Sequence, residues 1–219
     1  MTALPPPAAV PATLPGQAAG YKLASVLLQY PTQALFDGLD ELDAAARSAP
    51  RAARGHLAEF LAWLRATPPR EVAQHYVETF DLRRRSALYL TYYRHGDTRR
   101  RGMALLAFKT AYRAAGLEPA EAELPDYLPV VLDFAAVAPR GEDLLRRHRA
   151  DLELLRRALH EAGTPYARVV DAVCAQLPRL GRRDLLRVRA SEQQGPPAEE
   201  VGLEPFAPPG YLSGQEAAR

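Results

Sequence analysis

The chain has 219 residues, 47% of them hydrophobic, and its 28 basic and 26 acidic side chains leave a formal net charge of +2. Leu, Ala, Arg and Glu favour helices and are abundant, whereas Ile is absent, so an all-β or parallel α/β domain is disfavoured. The single cysteine, Cys174, excludes a disulfide framework and a multi-cysteine metal site. No apolar run reaches the ~18 residues of a transmembrane helix.

Proline placement divides the chain into three parts. Residues 1–20 are uncharged and rich in Pro and Ala, which predicts a disordered arm. They lack the basic region of a secretory signal, so we expect a cytoplasmic protein. Residues 21–190 are predicted to form one all-helical domain, and residues 191–219 a disordered, acidic tail rich in Pro and Gly.

Apolar residues recur at helical spacing through the predicted domain. One stripe consists of Leu57, Phe60, Leu61 and Leu64, and another begins with Leu145, His148 and Leu152. Gly116 follows a third stripe, where it is placed to end a helix. About seven to nine such helices, joined by short turns, predict an all-α bundle.

Two stretches depart from this periodicity. Ser86–Tyr93 alternates as a strand does, but no second strand is predicted to pair with it, so we expect a short helix. Glu118–Asp126 is acidic and contains prolines, which predicts a loop. This loop leads into Tyr127–Val137, which is predicted to be a short, almost wholly buried helix.

The sequence contains none of the common catalytic or metal-binding signatures. There is no glycine-rich phosphate loop and no HExxH motif, and the five histidines are too dispersed for two to share a helical face. Cys174 lies among apolar residues at helical spacing and is expected to be a buried thiol. We therefore expect no enzyme activity, no metal and no cofactor.

Arginines occur in clusters, which leaves a nucleic-acid-binding regulator open as an alternative function. The clusters are Arg83–Arg85, Arg99–Arg101, Arg146–Arg149, Arg156–Arg157 and Arg182–Arg183. Acidic residues flank most of them, and Lys is confined to positions 22 and 109, as a biased genome would produce. A solvated helix surface is favoured over a track for phosphates.

Aromatic residues are concentrated in Tyr76–Val137. Most are expected in the core of the bundle, but the hydroxyls of a run of tyrosines need polar partners. A partly hydrated groove satisfies that need better than a dry core. Such a groove could hold an amphipathic helix or an extended peptide.

Three strings in this segment resemble the nitrate reductase delta-subunit family of NarJ-type molybdenum-cofactor assembly chaperones. They are YVETFD from Tyr76, SALYLTYYRHGDT from Ser86 and RGMALL from Arg101. ELPDYLPVVLDF, from Glu123, is similar to the acidic Pro-Asp motif of the wider class of redox-enzyme maturation chaperones. That class often has His after the Asp, and Tyr127 at this position fits the nitrate-reductase branch.

The resemblance implies a client-specific chaperone and no catalysis. Such proteins bind the N-terminal segment of the apo catalytic subunit of respiratory nitrate reductase, support cofactor insertion before membrane attachment, and are absent from the mature enzyme. The implied partner is that peptide, with no nucleic acid and no stable membrane association. A related client, such as a sulfoxide or N-oxide reductase, remains an alternative.

We place the client peptide in the aromatic segment. The predicted peptide-binding residues are Tyr76, Phe80, Tyr89, Tyr92, Tyr93, Glu123, Pro125, Asp126 and Tyr127. The aromatic rings would anchor the peptide, with Glu123–Tyr127 at the edge of the groove. Asp126 is expected either to cap the helix that begins at Tyr127 or to contact the peptide directly.

Overall fold

A computed structural model of the protein describes residues 2–3, 16–96, 98–118 and 123–194. Helices dominate this part of the chain and confirm the predicted all-α class. The α-helices are α1 (Gln17–Leu27), α2 (Gln33–Asp37), α3 (Leu39–Ser48), α4 (Arg51–Ala66), α5 (Pro69–Tyr76), α6 (Tyr92–His95), α7 (Arg100–Ala114), α8 (Leu128–Val137), α9 (Glu142–Arg147), α10 (Arg149–Glu161), α11 (Tyr166–Ala175) and α12 (Arg182–Gln194). A π-helical turn over Val77–Asp81 and a 3-10 turn over Arg84–Ser86 follow α5.

These segments outnumber the seven to nine expected because some apolar stripes are broken. The stripe through Leu145 and Leu152 forms two helices, α9 and α10, since His148 leaves the helical conformation between them. The His148 ring packs on Phe108 of α7, with 4.8 Å between the ring centroids. The stripe therefore divides at a residue that contacts a distant helix.

Two helix pairs form the centre of the core. α1 packs along α8, and α4 packs along α11. As predicted, α8 is almost wholly buried. Two polar contacts join α1 to α8: the Lys22 ammonium lies 2.7 Å from an Asp133 carboxylate oxygen, and the Ser25 hydroxyl donates to the Pro129 carbonyl. Both charged partners are buried, so they neutralise each other inside the bundle.

Glycines end two of the helices, as the sequence pattern indicates. Gly116 follows α7 with φ at 74° and Gly163 follows α10 with φ at 65°, a region that side chains rarely adopt. Beyond α7, a parallel pairing of two residues joins β1 (Thr2–Ala3) to β2 (Leu117–Glu118). This pairing leaves the all-α character of the fold unchanged.

The helical domain extends beyond both predicted boundaries. α1 begins at Gln17, so residues 17–20 are helical although we assigned them to the arm; Ala19 and Gly20 are buried. At the other end, α12 continues through residues 191–194. Prolines mark the ends of the domain, but Gln and Ala beside them are compatible with helix. Residues 1, 4–15 and 195–219 of the two predicted disordered segments lie outside the described residues.

The prediction of a short helix over Ser86–Tyr93 is largely wrong. Tyr89 pairs in antiparallel fashion with Tyr127, and two backbone hydrogen bonds of 3.1 and 2.7 Å flank this bridge. Helical structure is confined to the two ends of the stretch: Ser86 closes the 3-10 turn, and Tyr92 and Tyr93 begin α6. The partner was missed because it is a single residue directly before α8, too short to predict as a strand.

Among the residues that the structure describes, no helix is both long enough and apolar enough to cross a lipid bilayer.

Candidate functional site

Asp126 joins two of the motifs that carry the family resemblance, the string from Glu123 and the string from Ser86. Its side chain is fully buried, and Oδ2 accepts hydrogen bonds from the backbone N–H of Thr91 at 3.1 Å and from the Thr91 hydroxyl at 2.6 Å. Arg101 at the start of α7 brings a guanidinium nitrogen to 3.6 Å from the same oxygen. Asp126 therefore fixes the segment before α8 against the YLTYY motif.

The predicted capping role of Asp126 is not observed. The residue that precedes α8 is Tyr127, and no side chain donates or accepts a capping hydrogen bond there. The carboxylate turns instead toward Thr91, 35 residues earlier. The capping prediction considered only neighbouring residues. In the structure the carboxylate instead accepts hydrogen bonds from two donors of the distant Thr91.

Four tyrosines lie next to one another where these motifs meet, and we call them the tyrosine patch: Tyr30, Tyr76, Tyr89 and Tyr127. The Tyr89 and Tyr127 rings are 5.4 Å apart between centroids, and the Tyr76 and Tyr127 hydroxyls are 3.3 Å apart. Tyr30 meets Tyr76 edge to face at 5.6 Å. The patch draws on three distant parts of the chain.

The tyrosine patch is open to solvent on one side. Tyr30 is 53% exposed, and Tyr89 and Tyr127 are partly exposed. Tyr76 is buried and anchors the patch: its hydroxyl also donates to the Leu28 carbonyl at 3.2 Å. Rings with one apolar face and one hydrated hydroxyl are suited to binding another chain.

Two exposed carboxylates, Asp81 and Glu123, lie at the border of the tyrosine patch. Burial raises the pKa of Tyr127 to about 12, and both carboxylates add to the rise, which a hydrogen bond with Tyr76 partly offsets. Burial also raises the pKa of Tyr89, again assisted by Glu123. The phenols therefore stay protonated near neutral pH. Two carboxylates lie at the border of the patch, and the Arg101 guanidinium lies 5.4 Å from the centroid of the Tyr89 ring.

Exposed leucines adjoin both carboxylates in the sequence. Leu82, after Asp81, is 72% exposed, and Leu124, after Glu123, is 42% exposed. These exposed leucines, next to the carboxylates in the sequence, and the partly exposed rings supply apolar surface with two carboxylates at the border of the patch. Such a surface is complementary to a peptide that has apolar residues and positive charge.

The other predicted binding residues lie mainly in the interior. Phe80, Tyr92, Tyr93 and Pro125 are buried. The Tyr93 hydroxyl donates to the carbonyls of Arg85 and Ala87, at 3.1 and 2.9 Å. The structure therefore brings Tyr76, Tyr89, Glu123 and Tyr127 of the predicted set to the patch, whereas the remaining residues of the set are buried: Phe80, Tyr92, Tyr93, Pro125 and Asp126.

Sequence reasoning missed Tyr30, Asp81 and Leu82, whereas Leu124 lies in the segment that it placed at the edge of the groove. Asp81 ends one of the motifs that we quoted, so its proximity to the site could have been anticipated. Tyr30 is far from the other tyrosines in sequence, and its only local signal is a position beside Pro31, outside the apolar stripe of α1. Long-range packing places it in the patch.

Other groups with potential chemistry are occupied by structural contacts. Three histidine rings are hydrogen-bonded to side-chain oxygens at 2.7 to 2.9 Å: His75 to Thr164, His148 to Asp151, and His160 to Asp171. Burial raises the pKa of Cys174 to about 12, which keeps the thiol protonated and unreactive. Within the described ranges, no three His, Cys, Asp or Glu side chains gather as a metal site would require.

Many clustered arginines are engaged with carboxylates. Arg156 and Arg157 hold Glu153 at 2.7 and 3.0 Å, and Arg94 lies 3.1 Å from Asp151. Such pairing agrees with the interpretation of the clusters as charged helix surfaces. Arg83–Arg85 differ, since the structure records no ion pair for them within its described ranges.

Comparison with known proteins agrees with the motifs. The family described as "Nitrate reductase delta subunit" matches residues 43–171. The chain is 46% identical over 156 residues to "Nitrate reductase-like protein NarX" of Mycobacterium tuberculosis, covering 70% of this chain but 24% of that protein. It is thus similar to about a quarter of the length of NarX.

Two relatives of more similar size bear chaperone names. The chain is 31% identical over 167 residues to the "Probable nitrate reductase molybdenum cofactor assembly chaperone NarJ" of Bacillus subtilis, covering 75% of this chain and 91% of that protein. It is 32% identical over 154 residues to the "Nitrate reductase molybdenum cofactor assembly chaperone NarJ" of Escherichia coli, covering 68% and 65%. The family match spans more than half of the chain, and the protein therefore belongs to the nitrate reductase delta-subunit family.

Proposed function

We propose that the protein is a chaperone that binds the N-terminal segment of the apo catalytic subunit of a respiratory nitrate reductase. Binding would hold that subunit open to insertion of the molybdenum cofactor before it attaches to the membrane. The protein would act in the cytoplasm, catalyse no reaction, hold no cofactor of its own and leave before the enzyme is complete. Family membership and the names of the two NarJ relatives support this proposal.

The observation that carries the proposal is the position of the tyrosine patch. Tyr89 comes from the YLTYY motif and Tyr127 from the ELPDY motif, and their rings meet at 5.4 Å on a partly exposed surface. Two of the motifs that carry the resemblance therefore build one surface. A core role would require neither partial exposure nor an acidic border.

The composition of the surface favours binding of a peptide in which apolar anchor residues lie next to basic residues. The rings of Tyr30, Tyr89 and Tyr127 supply contact area that loses little side-chain entropy on binding. Asp81 and Glu123 would attract lysine or arginine of the peptide and accelerate the encounter. Because the patch is preformed, its tyrosines are not reordered on binding, which reduces the free-energy cost.

Recovery of the client from cells tests this proposal. The full-length protein carries an affinity tag in cells that grow by nitrate respiration, and co-purifying proteins are identified by mass. We expect the nitrate reductase catalytic subunit with less than stoichiometric molybdenum. Recovery of the molybdenum-loaded complex with its membrane subunits, or of no catalytic subunit, would contradict the proposal.

The same preparation distinguishes the alternatives. A sulfoxide or N-oxide reductase in place of nitrate reductase would retain the chaperone function but change the client. Nucleic acid that is recovered at low salt and released steeply as salt rises would favour the regulator, because phosphate contacts depend strongly on salt. Contacts of an apolar patch are much less sensitive to salt.

A further inference from the structure

Three consecutive arginines form a charged surface outside the tyrosine patch. Arg83, Arg84 and Arg85 lie at and just before the 3-10 turn that follows the π-helical turn, and all three are exposed. No ion pair of theirs is recorded with any residue that the structure describes, in contrast to Arg156 and Arg157 of α10. The Tyr93 hydroxyl holds the turn through the Arg85 carbonyl.

A groove runs between this turn and α10. One cavity of about 320 Å³ is lined by the three arginines together with Ala158 and Glu161. A second cavity of about 220 Å³ shares Arg85, Ala158 and Glu161 with the first, and its wall includes Tyr93 and Leu154. The two cavities are therefore neighbours that share part of their lining, and we call them together the arginine groove.

The groove ends beside the last turn of α12. Ser191 and Glu192 line its second cavity, and Glu192 is paired with Arg157 at 3.0 Å. Glu161 is the other acidic residue of the lining, so the four arginines outnumber the two carboxylates. The groove thus keeps an excess of positive charge where the chain leaves α12.

The chain beyond α12 carries the complementary charge. Residues 195–219 include Glu199, Glu200 and Glu204, followed by Phe206. Glu199 lies five positions after Gln194, and an extended chain covers roughly 17 Å over that distance. The first glutamates can therefore return to a groove whose edge is formed by Ser191 and Glu192.

We propose that the segment 199–206 docks in the arginine groove of the same molecule. Glu199 and Glu200 pair with the arginines of the turn, where bidentate contacts are available to guanidinium groups. Phe206 occupies the second cavity against Tyr93 and Leu154. The short tether gives an effective concentration in the millimolar range, so a weak contact suffices to hold the segment. This inference is independent of the client.

Zero-length cross-linking of the full-length protein tests the proposal. Lys is restricted to buried Lys22 and to Lys109 on α7, so Arg84→Lys introduces a distinct amine into the groove. A carbodiimide then joins this amine to any carboxylate in contact, and the product is located by mass spectrometry. Arg51→Lys is the matched control, because Arg51 is also exposed and begins α4.

We expect cross-links from the introduced amine to Glu199, Glu200 or Glu204 in the Arg84→Lys protein, with at least about fivefold lower yield in the Arg51→Lys control. Salt of about 0.5 M should reduce the yield, because it screens exposed charges. Equal yields in the two variants, or no cross-link to the tail, would overturn the proposal.

Two further outcomes would also overturn it. In a mixture of isotopically labelled and unlabelled protein, cross-links that join a labelled to an unlabelled chain would make the occupant a second copy. Tight binding of a single-stranded oligonucleotide that is lost in Arg83→Ser/Arg84→Ser/Arg85→Ser and unaffected by Glu199→Gln/Glu200→Gln would assign the groove to nucleic acid.

Discussion

Asp126 accepts two hydrogen bonds through one carboxylate oxygen, and both come from Thr91: the hydroxyl at 2.6 Å and the backbone N–H at 3.1 Å. This contact closes the space between the segment before α8 and the segment before α6. It also sets the separation of two tyrosines: Tyr89, two residues before Thr91, and Tyr127, directly after Asp126.

Loss of the Asp126 carboxylate should destabilise the fold. Asp126→Ala leaves the Thr91 N–H buried without its acceptor and removes a carboxylate near Arg101, so we expect a loss of about 2–4 kcal/mol in the free energy of unfolding. Urea denaturation measures it. The control is Asp143→Ala, which removes an exposed pair with Arg140 and should cost less than about 1 kcal/mol. Equal losses would show that the Thr91 contact contributes little.

The buried pair of Lys22 and Asp133 should behave as a unit. Burial raises the pKa of Asp133, and the ammonium of Lys22 opposes the rise. Asp133→Leu alone leaves the buried Lys22 ammonium without its partner and should lower the free energy of unfolding by about 3–5 kcal/mol. Lys22→Met/Asp133→Leu should recover most of that loss. Urea midpoints of the two single variants and the double variant give the coupling. Additive losses would contradict it.

Much of the fold follows from local pattern, and the exceptions have a common cause. The stripe of Leu57, Phe60, Leu61 and Leu64 predicts α4, and Gly116 predicts the end of α7. The pairing of Tyr89 with Tyr127, by contrast, depends on residues 38 positions apart, and neither segment alone distinguishes it from a turn or a helix. Local periodicity contains no information on such contacts.

The candidate site was predictable to the extent that motifs mark it. Tyr76, Tyr89, Glu123 and Tyr127 belong to quoted strings and meet at the patch. Tyr30 does not belong to them, and it meets Tyr76 through a long-range contact, since the Tyr76 hydroxyl donates to the carbonyl of Leu28, two residues before Tyr30. The motifs also do not predict which side chains are exposed. Tyr89 and Tyr93 belong to one string, yet Tyr93 is buried and Tyr89 is partly exposed.

Acid should weaken the protein through Glu153. Burial raises the pKa of Glu153, but hydrogen bonds from Arg156 and Arg157 outweigh it, and the pKa falls from 4.5 to about 2. Because the pKa is lower in the folded protein than in the unfolded chain, the ionised carboxylate stabilises the fold at pH values above about 4.5. This stabilisation disappears as pH falls from about 4.5 toward 2. In Glu153→Gln, the free energy of unfolding should therefore change less across this pH window than in the wild type, by about 1–3 kcal/mol. Urea midpoints at several pH values measure the slope, and an unchanged slope would contradict this origin.

The acidic border should govern how fast a basic client peptide binds. Asp81→Asn/Glu123→Gln removes two exposed charges beside the patch, so the association rate should fall by about threefold or more at low salt, with a smaller change in dissociation. Stopped-flow measurements at two salt concentrations resolve the rates. Asp37→Asn/Asp40→Asn, on exposed residues of α2 and α3, is the charge-matched control and should leave both rates unchanged. A slower rate in the control would contradict a local effect.

The central claim is that the tyrosine patch binds the client. Fluorescence anisotropy with a labelled peptide, the N-terminal segment of the nitrate reductase catalytic subunit, gives Kd for the full-length protein and for two variants. Tyr89→Ser/Tyr127→Ser should weaken binding about tenfold or more, a loss of at least ~1.4 kcal/mol. Met103→Ser/Leu106→Ser, on the exposed side of α7, should change Kd less than about twofold. Thermal melts establish that both variants are folded. Wild-type affinity in the folded tyrosine variant, or an equal loss in the α7 control, would contradict the claim.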